Sequence, residues 1–314
     1  VTSDDDLYRQ LLRHDWDQYL DVDGTLAVNA TVFGETFKHS HYVALRTKDA
    51  IVDFFRKKKH KRPNVDVRHP DVLFHVHVHE RKCVVSLDSS GESLHKRGYR
   101  SETNIAPINE VLAAGLILMT GYSGSTHFID PMCGSGTILI EAAMIACNIP
   151  AGIHRSEFGF EKWKDFDPEL FEVIHASVLK KVRNASQRII GFDKAPSAIR
   201  KSTENVANAS LEEFISVERK DFFREPKPVE EDALVLFNPP YGERLNIDVA
   251  DFYSKIGDSL KHNYLQTTAW IISSDFEQGI KSIGLRSSRK IKVFNGKLEC
   301  RFVKYEMYAG SKKK

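Results

Sequence analysis

The stretch with the clearest chemical content is Asn238-Pro239-Pro240-Tyr241, which follows directly on the apolar run Ala233–Phe237. An exocyclic amine on an aromatic base is a poor nucleophile because its lone pair is delocalised into the ring. Two acceptors placed on its hydrogens, the Asn238 side-chain oxygen and the Pro239 carbonyl, would turn that lone pair toward an electrophile. Prolines lack N–H groups and fix φ, so carbonyls in such a segment are held without competing backbone bonds. Tyr241 can stack on a flat base, and Gly242 lets the chain turn beneath it. A strand that had only to stop could do so with one ordinary turn proline.

Three earlier segments end in residues that complement this one. Asp130-Pro131-Met132-Cys133-Gly134-Ser135-Gly136-Thr137 leaves a short strand and enters a helix, and its glycines let backbone approach a ligand beside the helix N-terminus. No Walker lysine follows Gly136, which argues against a triphosphate loop. The second strand ends at Asp193, where an acid commonly accepts both hydroxyls of a ribose. The third ends at Asp221-Phe222, offering a carboxylate for an adenine amino group with an aromatic beside it. Each acid alone is more often a helix cap or a surface charge than a ligand contact. Several consecutive strand ends that suit a nucleoside, followed by one that suits an amine, point to a nucleoside-bearing ligand next to a reacting base. In dinucleotide folds the ribose acid lies ~20 residues after the glycines; Asp193 lies much further on, so 150–187 reads as an insert.

The elements that must position these residues form two groups. Residues 7–20 carry an apolar and aromatic helix pattern (Leu7, Leu11, Leu12, Trp16, Tyr19), followed by strands at 25–31, 65–79 (interrupted by Pro70) and 82–87. A helix at 48–58 buries Ala50, Ile51, Phe54 and Phe55. This small α+β unit closes at Asp88-Ser89-Ser90-Gly91, and a basic connector, Lys96-Arg97-Gly98-Tyr99-Arg100, leads onward. From 107 strands and helices alternate: helix 107–119, strand 126–130, helix 137–147, strand 188–193, helix 195–208, and strands 215–220 and 233–237. A helix at 249–262 and a strand at 267–273 complete the series. Such alternation implies a mostly parallel sheet covered by helices on both faces. Strands at 289–294 and 297–308, joined by Asn295-Gly296, add an antiparallel hairpin. The expected division is residues 1–90, a linker at 91–102, and a catalytic domain at 103–314.

The bulk properties set limits. The 314 residues, 41% hydrophobic, suffice for two domains, since single cores stop growing near ~250–300 residues. A formal net charge of +2 leaves any nucleic-acid partner to local basic patches. Cys83, Cys133, Cys147 and Cys300 lie far apart without a CxxC pair, which favours a reducing compartment, the cytoplasm, over a disulfide framework or zinc knuckle. No apolar run reaches the ~20 residues of a membrane span. The chain opens at Val1 without a methionine, so a preceding piece is expected in the natural protein.

Taken together, DPMCGSGTILIEAA, GFDKAPSAIRKSTENVANA, KDFF and FNPPYGERL resemble motifs I to IV of class I S-adenosylmethionine-dependent methyltransferases. The NPPY form is similar to members that methylate adenine N6 or guanine N2. The SLHKRGYR connector, the helix after it and NPPYGERL resemble the THUMP-domain RNA methyltransferases of the RlmL family, which make N2-methylguanine in bacterial 23S ribosomal RNA. The resemblance implies a Rossmann-like α/β catalytic domain with a C-terminal hairpin, behind a THUMP-like α+β RNA-binding unit. It implies S-adenosylmethionine as cofactor, no metal, and RNA as partner. Asp130, Cys133, Gly134, Ser135 and Gly136 match the loop around the cofactor's methionine part, Asp193 the ribose contact, and Asp221 with Phe222 the adenine contact. Asn238, Pro239, Pro240 and Tyr241 match the catalytic tetrapeptide, with Asn238 also at the cofactor. Two departures stand out: Met132 occupies the usual first glycine of motif I, and the amino end is shorter than the family's. A tRNA guanine-N2 enzyme, a DNA adenine-N6 enzyme and a non-enzymatic RNA-binding protein are the alternatives.

For RNA contact, the basic run Arg56 to Arg62 contributes Lys57, Lys58 and Lys59, and the connector contributes Lys96, Arg97 and Arg100; all are expected to hold phosphates. Runs of this kind also occur as solvated surface at helix C-termini. His75, His77 and His79 alternate on one strand face, without the acids or cysteines of a metal set, and read as a polar or RNA-facing surface. The insert, with Arg155, Phe158, Phe160 and Trp163, is expected to be structural.

Overall fold

The computed structural model describes residues 1–100, 108–240 and 248–308. Two compact units emerge. The first joins Val1–Ser93 to Arg155–Ile174, and the second joins Leu94–His154 to His175–Lys314.

In the first unit, helix α1 (Asp4–Leu12) begins on a Ser3 cap that accepts from the Asp6 N–H. A single 3-10 turn at Trp16–Gln18 forms the exit from the helix within the 7–20 pattern. Strand β1 (Thr25–Phe33) pairs in parallel with β2 (Asn64–Val65) and β3 (Val72–His79), and β4 (Lys82–Leu87) closes the sheet antiparallel to β3, in the order β2-β1-β3-β4. Helix α2 runs over Ser40–Lys59, eight residues earlier than its strongest apolar pattern starts, and puts Ile51 and Phe55 into a core with Leu7, Trp16 and Phe74. Period-2 patterning places Phe74, Val76 and Val78 inside and His77 and His79 outside.

Arg155–Ile174 of the insert belong to this first unit, and the rest of the insert belongs to the second. Arg155 donates to the carbonyls of Ser90, Glu92 and Ser93. Phe160 N–H donates to the Ser89 carbonyl, Lys164 pairs with Asp21, and Phe158, Phe160, Phe166 and Phe171 form one aromatic cluster.

The second unit is a seven-stranded sheet in the order β10-β11-β9-β8-β5-β6-β7, made of β5 (His127–Asp130), β6 (Ile189–Asp193), β7 (Ile215–Arg219), β8 (Ala233–Phe237), β9 (Thr267–Ser273), β10 (Arg289–Asn295) and β11 (Leu298–Met307). Strands β5 to β9 are parallel; β11 runs antiparallel to β9 and to β10. Four helices, α3 (Glu110–Thr120), α4 (Thr137–Ala146), α6 (Pro196–Asn208) and α7 (Val249–Asn263), supply apolar faces to two core clusters; α5 (Pro168–Leu179) lies in the insert. The mixed, mostly parallel sheet is the class I architecture expected. One local expectation is corrected. Asn295 pairs with Leu298, so the hairpin loop is Gly296-Lys297, with the positive φ of 63° at Gly296. That is the type II′ arrangement, which demands glycine at its first central position and leaves Asn295 in the ladder.

β5 sits where the strand order reverses, with β6 on one side and β8 on the other. Open α/β sheets place their ligand crevice outside the carboxyl ends of the strands at such a point. Among the described residues no helix is long and apolar enough to cross a membrane.

Candidate active site

The crevice is present at that point. Asp130, Asp193, Asp221 and Asn238, each at or just beyond the end of a strand, converge on one cavity of about 360 Å³, within the range of small-molecule sites. Cys133, Gly134, Ser135, Phe222, Pro239 and Pro240 line it as well. Gly136 does not; it turns the chain into α4 with a φ of 81°, and a Cβ there would lie 3.1 Å from that of Ser202. Tyr241 and Gly242 lie outside the described residues, as does Pro107.

Backbone N–H groups of the loops bind these carboxylates. Met132 N–H donates to Asp130 Oδ1 at 3.1 Å, Gly134 N–H to Asp193 Oδ2 at 3.1 Å, and Ala195 N–H to Asp193 Oδ1 at 2.9 Å. Asp193 therefore ties the glycine loop to the start of α6 before any ligand is considered. Phe223 N–H caps Asp221 in the same way. Asp130 is 1% exposed, and burial, with the Asp193 charge adding to it, holds its carboxyl well above the usual carboxylate range. Burial likewise pushes up the Cys133 thiol, helped by Asp130 and Asp193.

Phe222 lines the cavity, yet its ring is 2% exposed and packs against Phe237 and Tyr264 in the core. Half-buried Phe223 and buried Phe252 also line the cavity. With Ile108 and Lys194 they are among the lining residues that strand-end reasoning missed. Lys194 follows Asp193 and was within reach of it, whereas nothing local marks Phe252, a helix residue brought in by packing.

The Oδ1 atom of Asn238 is sealed from solvent and has no hydrogen-bond partner among the described residues. Buried acceptors are almost always bonded, and Asn238 is one of the residues that line the cavity.

Two arginines expected to hold phosphate do otherwise. Arg97 is 8% exposed, and its Nε and Nη2 donate to Glu141 Oε1 and Oε2 at 3.2 and 3.3 Å. Arg100 pairs with Glu110 and donates to Thr137 Oγ1. Buried charges need partners, and both guanidiniums have found theirs within the fold. In the first unit, Lys58 pairs with Asp15 and Asp17, Lys59 pairs with Asp17, and Lys57 is exposed.

Known proteins resemble the chain throughout. The family model described as RMKL-like, methyltransferase domain, matches residues 97–304, and that of the THUMP domain matches residues 1–88. A ribosomal RNA large subunit methyltransferase K/L from Aliivibrio salmonicida is 36% identical over all of this chain. The chain spans 45% of that relative's length. The crystal structure of SMU.472 complexed with SAH covers 99% of the chain at 26% identity and a TM-score of 0.88, the chain spanning 82% of it. A structure from Listeria monocytogenes, described as a predicted N6-adenine-specific DNA methylase, covers 98% at 26% identity and a TM-score of 0.84, with 80% of its own length spanned.

Proposed function

Because the chain belongs to the RMKL-like methyltransferase family and carries a THUMP domain, we propose that it methylates the exocyclic N2 amine of a guanine in RNA, and that the RNA is large-subunit ribosomal RNA. The observation that carries this reading is the unpartnered Asn238 Oδ1 in the wall of the cavity. It is the acceptor that an amine N–H requires.

The cofactor is S-adenosylmethionine, which when bound supplies an electrophilic methyl group on a cationic sulfur. The residues present fit it. Asp193 and Asp221 offer carboxylate oxygens to hydroxyl and amino hydrogens, and the Gly134 loop offers close backbone. Asn238 Oδ1 accepts one hydrogen of the target amine and the Pro239 carbonyl the other, which directs the nitrogen lone pair away from the ring. Tyr241 stacks on the base once it has been flipped from its helix. The amine needs no strong base at the outset, since its proton can leave after the new bond forms.

The substrate follows from the printed name of the Aliivibrio salmonicida relative and from the THUMP match. Guanine N2 is supported by the likeness of the SLHKRGYR connector and NPPYGERL to the RlmL family, since NPPY alone suits adenine N6 as well. A second reading, adenine N6 in DNA, is favoured by the description of the Listeria monocytogenes structure and would use the same tetrapeptide. The test is incubation with methyl-labelled cofactor and, in parallel, unmodified large-subunit ribosomal RNA, transfer RNA and duplex DNA, followed by mass spectrometry of the nucleosides. N2-methylguanosine from ribosomal RNA is expected. Methyladenine from DNA would replace the proposal with the second reading.

A further inference from the structure

The connector that looked like a phosphate grip is fastened to the cofactor helix instead. Arg100 Nη2 donates to Thr137 Oγ1 at 2.7 Å and to the Ile108 carbonyl at 3.3 Å, and pairs with Glu110 Oε1 at 3.2 Å. Glu110 is the first residue of α3 and Thr137 the first residue of α4. One guanidinium thus holds the starts of two helices, and both Ile108 and Thr137 line the cavity while Arg100 itself does not. One turn further along α4, Glu141 accepts from Arg97 and from the Tyr99 hydroxyl, and Asn208 of α6 donates to the Tyr99 carbonyl. Residues 97–100 are bound along one side of the helix that opens with the glycine loop.

The Arg100–Glu110 pair is nearly enclosed, with side chains 13% and 5% exposed. In such surroundings charge-assisted bonds are strong, and all three contacts are made by the one Nη2 atom, so a lysine, whose ammonium sits differently on its stem, can replace them only in part. Ser135, the residue before Gly136, is held from the other side by Asn205 Nδ2 on its carbonyl at 2.9 Å. The loop is therefore anchored at α6, and among the hydrogen bonds of the described residues Arg100 links the Ile108 backbone to the start of α4.

We propose that Arg100 is a positioning residue for S-adenosylmethionine: it acts through Thr137 and Ile108 to hold the start of α4 and the Ile108 backbone, both at the lining of the cofactor cavity, in fixed register. Cofactor affinity is then the quantity that Arg100 controls. Binding of S-adenosylhomocysteine, measured by titration calorimetry on the whole chain without RNA, tests this independently of the substrate. Arg100→Gln is expected to weaken binding about 10-fold and Thr137→Val about 3-fold, with Arg100→Lys between wild type and Arg100→Gln. Since the two residues act through one bond, the double variant Arg100→Gln/Thr137→Val should bind no more weakly than Arg100→Gln alone. In turnover, the cofactor KM should rise while kcat at saturation stays within about twofold. Wild-type affinity in folded Arg100→Gln, or losses that multiply in the double variant, would overturn the proposal. Where Arg100→Gln does not fold, Thr137→Val decides alone, and undiminished affinity in it has the same consequence.

Discussion

Replacing Asn238 by alanine separates a residue kept for chemistry from one kept for the fold. Its Oδ1 is shut off from water and unbonded among the described residues, and a buried acceptor in that state costs the resting protein ~1–3 kcal/mol. Against this, truncation removes packing worth about one methylene, ~0.8 kcal/mol. The net expectation for Asn238→Ala is a stability change between zero and about 2 kcal/mol in favour of the variant. Methyl transfer should move the other way and fall roughly 100-fold or more, the scale seen when one preorganised polar partner is taken from a reacting centre. Denaturant unfolding of the cofactor-free chain and single-turnover methylation of unmodified ribosomal RNA are the two assays. Near-normal rates would remove Asn238 from the mechanism. A destabilisation beyond ~2 kcal/mol would show that Oδ1 has a partner within the fold and is not held open for a ligand.

The remaining expectations concern the ion pair on α4, the cofactor cavity and the basic residues of the first unit. Glu141→Leu should cost ~3–5 kcal/mol by stranding the Arg97 charge, and Arg97→Met/Glu141→Leu should recover most of that in urea unfolding; a mild single-variant effect would mean that the pair is solvated. Asp193→Ala should weaken S-adenosylhomocysteine binding by at least ~1.5 kcal/mol in calorimetry, through the removal of charge-assisted bonds and a loosened Gly134 loop; unchanged affinity would take Asp193 out of the site. The folded Asp130 carboxyl titrates above its ordinary value of 3.8, so the stability tied to its protonated form is complete below that value and is lost as pH rises through the folded pKa. Asp130→Asn should therefore raise the Tm of the cofactor-free protein relative to wild type more at pH 8 than at pH 4, and a gain independent of pH would refute the assignment. Changing Lys57, Lys58 and Lys59 to alanine should weaken RNA binding across sequences and flatten its salt dependence by up to about one unit of slope for each phosphate no longer neutralised; an unchanged slope would leave Lys58 and Lys59 as partners of Asp15 and Asp17 and Lys57 as solvated surface.

Much of this protein was legible along the chain because its chemistry is placed by strand ends. A parallel strand followed by a helix delivers its last residue to one edge of the sheet, so Asp130, Asp193, Asp221 and Asn238 could be assigned to a common edge from patterning alone. The period-2 alternation of 72–79 likewise determined which side of β3 faces the core. Local pattern ran out where the deciding partner is distant in sequence. Arg97 and Arg100 read as a basic patch because charge in sequence carries no sign of burial; only packing against α4 brought Glu141 and Thr137 to them. The Phe222 ring read as an adenine contact, and the neighbouring Phe237 and Tyr264 drew it into the core. Residues 155–174 joined the first unit for the same reason: the carbonyls of Ser90, Glu92 and Ser93 that fix Arg155 lie more than sixty positions earlier. The sequence by itself determined which elements form and which edge carries the chemistry, since both depend on local periodicity and chain direction. The tertiary structure alone decided which charges are buried, because burial is a property of what lies on the other side of a contact.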